Sequence, residues 1–441
     1  MANPLAKLGF SKKTLIYFVI IATNSQIIYS FQAIREVLYD PFVENLGVTN
    51  AQFGVLMGII GACATFGNVP LGWIQDRFSI RKVLSVNTAI VGCLGMFIAL
   101  YPNKNFAMMV PCFILLGLCV EPLYWATVLK SVRAIAKEDS QATAFGFLEF
   151  GRGMTVFIQN AIVIGIYTLF GQTLMGIKFA IIFNACVTLC SAALVWFVLP
   201  EEDFIGVSGQ MERTKIALSG LLKALRLPEV WLTGIAACCV YTTFVAVSTY
   251  FVPYLQKVYI LPVAVAGLFG LLGSNVTRWV AGPISGLTAD AKFKTSAHWM
   301  RWCYLLLGLG IGGCLLVPHN NSFVILAVAL LLVATLAAYL IRGVYYAPIG
   351  ESNVPKAMGA AAMSVASFIG YSPGLWAYPL FGSILDKYEA DPTQAYQIIF
   401  TIMFCLCVLG FVLTNILGHR IVRLRERRNA EIDVEDVEKA A

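Results

Sequence analysis

Apolar residues run along this chain in blocks of roughly 20 or more, broken by short polar connections, from near the amino terminus to about residue 419. A helix of ~20 residues rises about 30 Å, which matches the hydrocarbon core of a bilayer. The blocks fall near 14–38, 51–74, 83–102, 106–128, 143–170, 174–199, 229–256, 262–288, 299–318, 322–349, 358–384 and 394–419. The pattern predicts an all-α integral membrane protein with twelve transmembrane helices and both termini on one side.

Charges interrupt these blocks at few places. Arg35, Arg152, Arg278 and Arg342 lie within or at the border of predicted spans, and Glu121 and Glu149 are the carboxylates well inside them. A charge at bilayer depth costs at least ~2.5–3.5 kcal/mol by insertion scales, so each should face a polar cavity or an ion partner.

Between the spans, basic residues accumulate on the side of the termini: Lys12, Lys13, Arg77, Arg81, Lys82, Arg213, Lys215, Lys292, Lys294 and the cluster from Arg420 to Arg428. The opposite loops carry little beyond Lys104, Lys178, Lys257 and Lys387. The positive-inside rule then places both termini in the cytoplasm, with a bacterial inner membrane as the expected location.

Composition narrows the classes further. Charged residues are 12% of the chain and apolar residues 59%, against roughly 25% charged in soluble domains, so no large soluble domain fits. The net charge of +7 has a topological origin and does not call for nucleic acid. The first apolar run is too long for a signal-peptide core and is expected to be retained. The 12 cysteines lie mostly in apolar segments without CxxC pairs, and no metal, cofactor or nucleotide-binding motif is expected.

The longest polar connection, 201–228, reads as a cytoplasmic linker between an amino-terminal half, 1–200, and a carboxyl-terminal half, 229–419. It carries an amphipathic piece from Ile216 to Leu225, suited to the membrane surface. Residues 420–441 form a cytoplasmic tail whose acidic end, Glu431 to Glu438, is expected to be disordered. The halves echo each other: Glu121-Pro122-Leu123-Tyr124-Trp125-Ala126 in span four corresponds to Arg342-Gly343-Val344-Tyr345-Tyr346-Ala347 in span ten. Such repeats place a substrate site near mid-membrane in many carriers.

Joining spans two and three is Gly72-Trp73-Ile74-Gln75-Asp76-Arg77-Phe78-Ser79-Ile80-Arg81-Lys82, with a weaker copy, Gly286-Leu287-Thr288-Ala289-Asp290-Ala291-Lys292, between spans eight and nine. This loop is similar to the GxxxDRxxRR/K loop of the major facilitator superfamily. The resemblance covers nearly the whole chain and implies two six-helix halves that work by alternating access, commonly as a monomer. It also implies a gating role for Gly72, Asp76, Arg77, Arg81, Gly286 and Asp290. Span eight, with Arg278, resembles the arginine-bearing helix of nitrate porters, but the matching arginine in span two and the glycine signatures are missing. Arg35 falls near an arginine of glycerol-phosphate exchangers, yet span seven has no basic residue before Lys257. Neither subfamily matches cleanly.

Candidate substrate contacts are Arg152, Arg278, Arg35 and Arg342, because a guanidinium grips carboxylate, sulfonate or phosphate in bidentate fashion. Tyr124, Tyr346 and Tyr371 are aromatic candidates for a cavity wall. Arg152 can also pair with Glu149 at i, i+3, and Arg35 can snorkel to the interface. Glu149 and Glu121 are candidates for proton coupling: an anion that takes arginine's grip from a glutamate leaves a carboxylate that protonates, and both ligands cross together. The histidines His298, His319 and His419 lie at span edges and do not suggest a relay.

The expectation is a secondary carrier of a small organic anion with protons. The alternatives are a proton-driven exporter of drugs or metabolites, a sugar transporter and, outside transport, a membrane enzyme or receptor. An enzyme would need a nucleophile and base set or clustered histidines near one interface, and none is visible.

Overall fold

Each apolar block in the chain is helical. The structure, a computed structural model, describes residues 11–135, 141–201, 223–352, 354 and 359–440; within its helices the side chains of 68–77, 274–275, 278–279, 290 and 431–440, among others, lie outside the described residues. No strand occurs among the described residues. With no water in the hydrocarbon, a helix satisfies its backbone groups internally. Uninterrupted helices form span two (Asn50–Arg77), three (Ile80–Leu100), five (Gln141–Leu169), six (Leu174–Val198), seven (Pro228–Val258), nine (Ser296–Leu316) and twelve (Pro392–Ala440).

The other spans are broken. Span one bends by 52° between Lys12–Ile27 and Ser30–Glu36. In span four the helix Phe106–Val120 stops at Glu121 and resumes as Trp125–Ile135, because Pro122 has no N–H to give and disfavours helical backbone before it. Span eight passes from Val263–Gly270 through a π-turn, Leu271–Val276, into Thr277–Lys292. Span ten breaks after Val344 and resumes as Ala347–Glu351 with Pro348 in its first turn, and span eleven is split into Gly359–Tyr371 and Pro373–Lys387. The breaks in spans four and ten fall at corresponding positions of the sequence repeat.

Helices start where short polar side chains can take their first N–H groups: Ser11 accepts from Thr14, Asn105 from Met108, Thr173 from Gly176 and Thr295 from His298. Leu169, Phe197, Leu316 and Ile325 are each more than four-fifths exposed, as side chains facing lipid should be. One expectation is corrected: the tail is not irregular, since the last helix runs on to Ala440. Its Arg, Glu and Ala residues are strong helix formers and carry the turn beyond the apolar stretch.

The chain packs as two compact units, and each shares spans seven, eight and eleven with the other. The first comprises residues 1–208, 248–279 and 374–392. Its centre is a polar network of spans one, three, four and six: Asn24 Nδ2 donates to Ser191 Oγ at 2.8 Å, and Asn24 Oδ1 accepts from Thr88 at 3.3 Å and from the Tyr124 hydroxyl. Glycines bring span eleven against span two. A methyl on Gly54 would meet the carbonyl of Tyr378, one on Gly61 that of Gly374, and one on Gly58 would stand 2.9 Å from the Leu375 oxygen. Asp386 completes this packing by accepting from the Asn50 N–H at 3.0 Å, the Ala51 N–H at 2.7 Å and Asn50 Nδ2 at 2.8 Å, at the start of span two.

The second unit comprises residues 209–247, 280–373 and 393–441. Ala224, Val230, Ile349, Ala362, Val365 and Ala366 form one apolar core cluster. Polar ties hold the helix ends: Glu351 accepts from the Ser296 N–H at 3.0 Å, and Arg420 Nε donates to Glu229 at 2.5 Å. The Tyr304 hydroxyl donates to the Ala236 carbonyl.

Candidate functional site

Arg152 lies near the middle of span five, and its guanidinium is enclosed by aromatic rings and a carboxylate. It stands 4.4 Å from the centre of the Trp125 ring and 5.7 Å from that of Tyr29, and its Nη1 donates to Glu149 Oε1 at 2.8 Å. The residue is 9% exposed, and its Nε has no hydrogen-bond partner. A guanidinium on an indole face is held flat and oriented, which is the posture for bidentate contact with an oxyanion. Tyr29 sits at the bend of span one and Trp125 opens the second piece of span four, so two helix breaks aim these rings at one residue. Glu121, at the break itself, interacts with both Arg152 and Tyr29.

The expected pair of Arg152 with Glu149 is therefore present. The structure also separates the adjacent aromatics of span four: Trp125 faces Arg152, while Tyr124 is fully buried and gives its hydroxyl to Asn24. Arg35 does not snorkel. It is 9% exposed, and its Nη1 donates to the Gln32 carbonyl at 2.6 Å, its Nε to Thr249 at 3.3 Å and its Nη2 to the Tyr378 hydroxyl at 3.4 Å. These bonds tie span one to the ends of spans seven and eleven inside the first unit, where Lys257 also pairs with Asp40 at 2.8 Å.

In the second unit, Arg342 repeats the theme. Its guanidinium lies 4.0 Å from the centre of the Phe244 ring, and its Nη1 has no hydrogen-bond partner. Around it the Tyr345 and Tyr371 hydroxyls are 2.8 Å apart, Tyr345 and Tyr346 stack at 4.1 Å, and Tyr241 meets Tyr371 edge-on at 5.0 Å. Tyr371 and Tyr346, both expected near a cavity, thus belong to one aromatic cluster with Arg342. Arg278 follows the π-turn of span eight on the helix Thr277–Lys292, and its side chain lies outside the described residues.

Of the expected gating motif, the side chains of Gly72, Asp76, Arg77 and Asp290 lie outside the described residues. Arg81 pairs with Glu201 at 2.9 Å and covers the Trp196 ring at 5.1 Å, while Lys82 reaches the same carboxylate at 2.8 Å. The Lys82 hydrogen bond and charge, with the nearby Arg81, hold the Glu201 carboxyl below the usual carboxylate range. A methyl on Gly286 would meet nothing within 4 Å, so close packing does not require glycine there; on span two it is Gly54, Gly58 and Gly61 that approach span eleven tightly, which the sequence reading passed over. It also passed over buried amides on spans one and five, namely Gln26, Gln32, Gln159 and Asn160. The signal available was spacing: Gln159 lies seven residues after Arg152, on the same helical face. Among the described residues no group of His, Cys, Asp and Glu could hold a metal ion.

Known proteins share this organisation. The inner membrane protein YihN of Escherichia coli is 27% identical over 412 residues, spanning 93% of this chain and 97% of that protein. The inner membrane protein YqcE of the same organism is 24% identical, spanning 93% and 96%. Among solved structures, a bacterial homolog of the human lysosomal transporter Spinster superposes with a TM-score of 0.71 at 13% identity, over 94% of this chain and 98% of that one. The nucleoside transporter NupG gives 0.71 at 11% identity, over 92% and 99%. Relatives named as inner membrane proteins and the run of apolar helices make this a multi-pass membrane protein. Because the Major Facilitator Superfamily profile matches residues 14–378 of a chain with this helical plan, the chain belongs to the Major Facilitator Superfamily of transporters.

Proposed function

We propose that this transporter carries a small organic anion, a carboxylate, sulfonate or phosphate ester, together with protons. The observation that supports it is Arg152: a buried guanidinium stacked on Trp125, with Nε unbonded and Nη1 shared only with Glu149. Desolvation makes a buried guanidinium with an unmet N–H costly, and an oxyanion on that open edge offsets the cost. The anion competes with Glu149 for Arg152. Once displaced, the Glu149 carboxylate takes up a proton, and Glu121 is the second carboxylate within the reach of Arg152. Anion and proton then travel together through alternating access of two six-helix halves, 1–200 and 229–419, joined by the linker at 201–228. The chain acts as a monomer, with both termini in the cytoplasm, as the basic loops on their side support. Arg342, which takes the place of Glu121 in the repeat and has an unbonded Nη1, is the candidate cation of the carboxyl-terminal half, and Arg278 is a further candidate.

The test is thermal stabilisation of the purified protein by small carboxylates, sulfonates, phosphate esters, neutral sugars and cationic drugs. The expected result is a shift from one anion class that Arg152→Ala removes. Stabilisation by cations or neutral compounds alone, unchanged in Arg152→Ala, would overturn the proposal and favour the exporter or sugar reading.

A further inference from the structure

Span five carries more buried polar surface than an anion grip requires. Gln159 follows Arg152 by seven residues, nearly in line with it and about 10 Å along the axis, with Asn160 beside it. The two residues are 6% and 1% exposed, and in each neither the amide oxygen nor the amide nitrogen has a hydrogen-bond partner. On span one, Gln26 Oε1 and Gln32 Nε2 are in the same condition, and they flank Tyr29, whose ring stands beside the Arg152 guanidinium. Asn24 in the same unit is bonded at both ends of its amide, to Ser191 through Nδ2 and to Thr88 and Tyr124 through Oδ1. Asn184, which ties span six to span one by donating from Nδ2 to the Ser30 carbonyl, leaves only its Oδ1 unmet, whereas Gln159 and Asn160 keep both ends of the amide unspent. Unmet polar groups in a membrane interior are costly, and a hydrogen-bonding cargo at Gln159 and Asn160 offsets that cost.

We infer that these amides read hydroxyl groups of the cargo, which makes the substrate class polyhydroxylated anions such as sugar acids and their sulfonate or phosphate counterparts. This rests on the anion reading of Arg152. The acid group sits on Arg152, and the hydroxylated body extends along spans one and five toward Gln159 and Asn160. An amide offers a donor and an acceptor side by side, which suits a hydroxyl that is itself both. A site built to bond hydroxyls discriminates strongly against an analogue that lacks them, since its buried polar groups then stay unmet.

The experiment is ligand binding to the purified full chain with matched pairs: gluconate against hexanoate, glycerate against propionate, isethionate against ethanesulfonate, and sorbitol as a neutral polyol. The hydroxylated member of at least one pair should bind tighter by about tenfold or more. Gln159→Leu and Asn160→Leu should each remove about tenfold of that preference and leave the hydroxyl-free partner unchanged, while Arg152→Ala loses both members. Because an unmet amide burdens the empty protein, Gln159→Leu should leave its unfolding temperature unchanged or raised. A marked fall would mean the amide is bonded in place and would overturn the inference. Gln26→Leu asks the same question from span one should the span-five variants not fold. If no pair shows a preference, or the preference survives these changes, the inference fails; loss of all anions in Arg152→Ala would still uphold the anion reading. Sorbitol binding that depends on Gln159 but not on Arg152 would remove the anion reading instead.

Discussion

Arg152 and Glu149 differ in how far they are withdrawn from solvent: the arginine side chain is 11% exposed and the glutamate side chain 46%. The arginine is therefore the fixed member and the glutamate the one that can leave. Arg152→Lys keeps the charge but loses the planar fork and the stacking on Trp125, so anion affinity should fall by about tenfold, roughly 1.4 kcal/mol, in a calorimetric titration. Glu149→Gln should raise anion affinity and flatten the pH dependence of uptake into vesicles, since the competing carboxylate is gone. Outside the spans, Glu201 titrates below its ordinary value near 4.3 because of Lys82 and Arg81. Its contribution to stability is complete above that ordinary value and is lost as pH falls through the depressed one. Melting curves from about pH 6 to about pH 3 should show a steeper acid loss in the wild type than in Glu201→Gln. The arginines, glutamates and basic loop residues were legible in the sequence, because a charge in an apolar block stands out. Gln159 and Asn160 were not, since an uncharged amide in a helix carries no such contrast until its missing partners are seen.

At the level of elements, chemistry gathers where helices are interrupted. Tyr29 lies at the bend of span one, Glu121 at the break in span four, Tyr345 and Tyr346 in that of span ten, Tyr371 in that of span eleven and Arg278 just past the π-turn of span eight. Interrupted backbone at membrane depth survives only where protein or a polar cavity satisfies it, so these breaks and these side chains belong together. Prolines announced the breaks at Glu121-Pro122 and Tyr371-Ser372-Pro373; the bend after Ile27 has neither glycine nor proline, and there Thr188 donates to the Ile27 carbonyl at 3.4 Å and Asn184 Nδ2 to that of Ser30 at 3.1 Å. Helix contacts give a paired test. Gly54→Ala puts a methyl against the Tyr378 backbone, which cannot yield, and should destabilise by about 1–3 kcal/mol. Gly286→Ala meets open space and should be neutral or stabilising by up to about 1 kcal/mol through helix propensity. Denaturation of the two variants in the same detergent would compare them directly.

For the whole molecule, topology follows from where the basic residues lie. In a background without the native cysteines, Asn320→Cys should react with an impermeant maleimide on intact cells, and Lys294→Cys only after permeabilisation. The reverse pattern would place the termini outside. The packing units are a different matter from this topology. Asp386, Lys257 and Arg35 join chain segments hundreds of residues apart, through a helix start, an ion pair and a buried guanidinium. Such ties depend on which helix ends meet, and no local pattern announces them.

The sequence by itself determined the helical class, the twelve spans, the sidedness that the charges predict and the short roster of intramembrane ions, because each follows from the free energy of placing a residue type in hydrocarbon. Tertiary structure alone decided which aromatic ring lies beside Arg152, that Tyr124 turns away to Asn24, that Arg35 is fully engaged while the Arg152 Nε and Arg342 Nη1 are not, and that span two meets span eleven closely at Gly54, Gly58 and Gly61. Those are matters of a few ångströms between residues distant in the chain, and hydropathy carries no record of such distances.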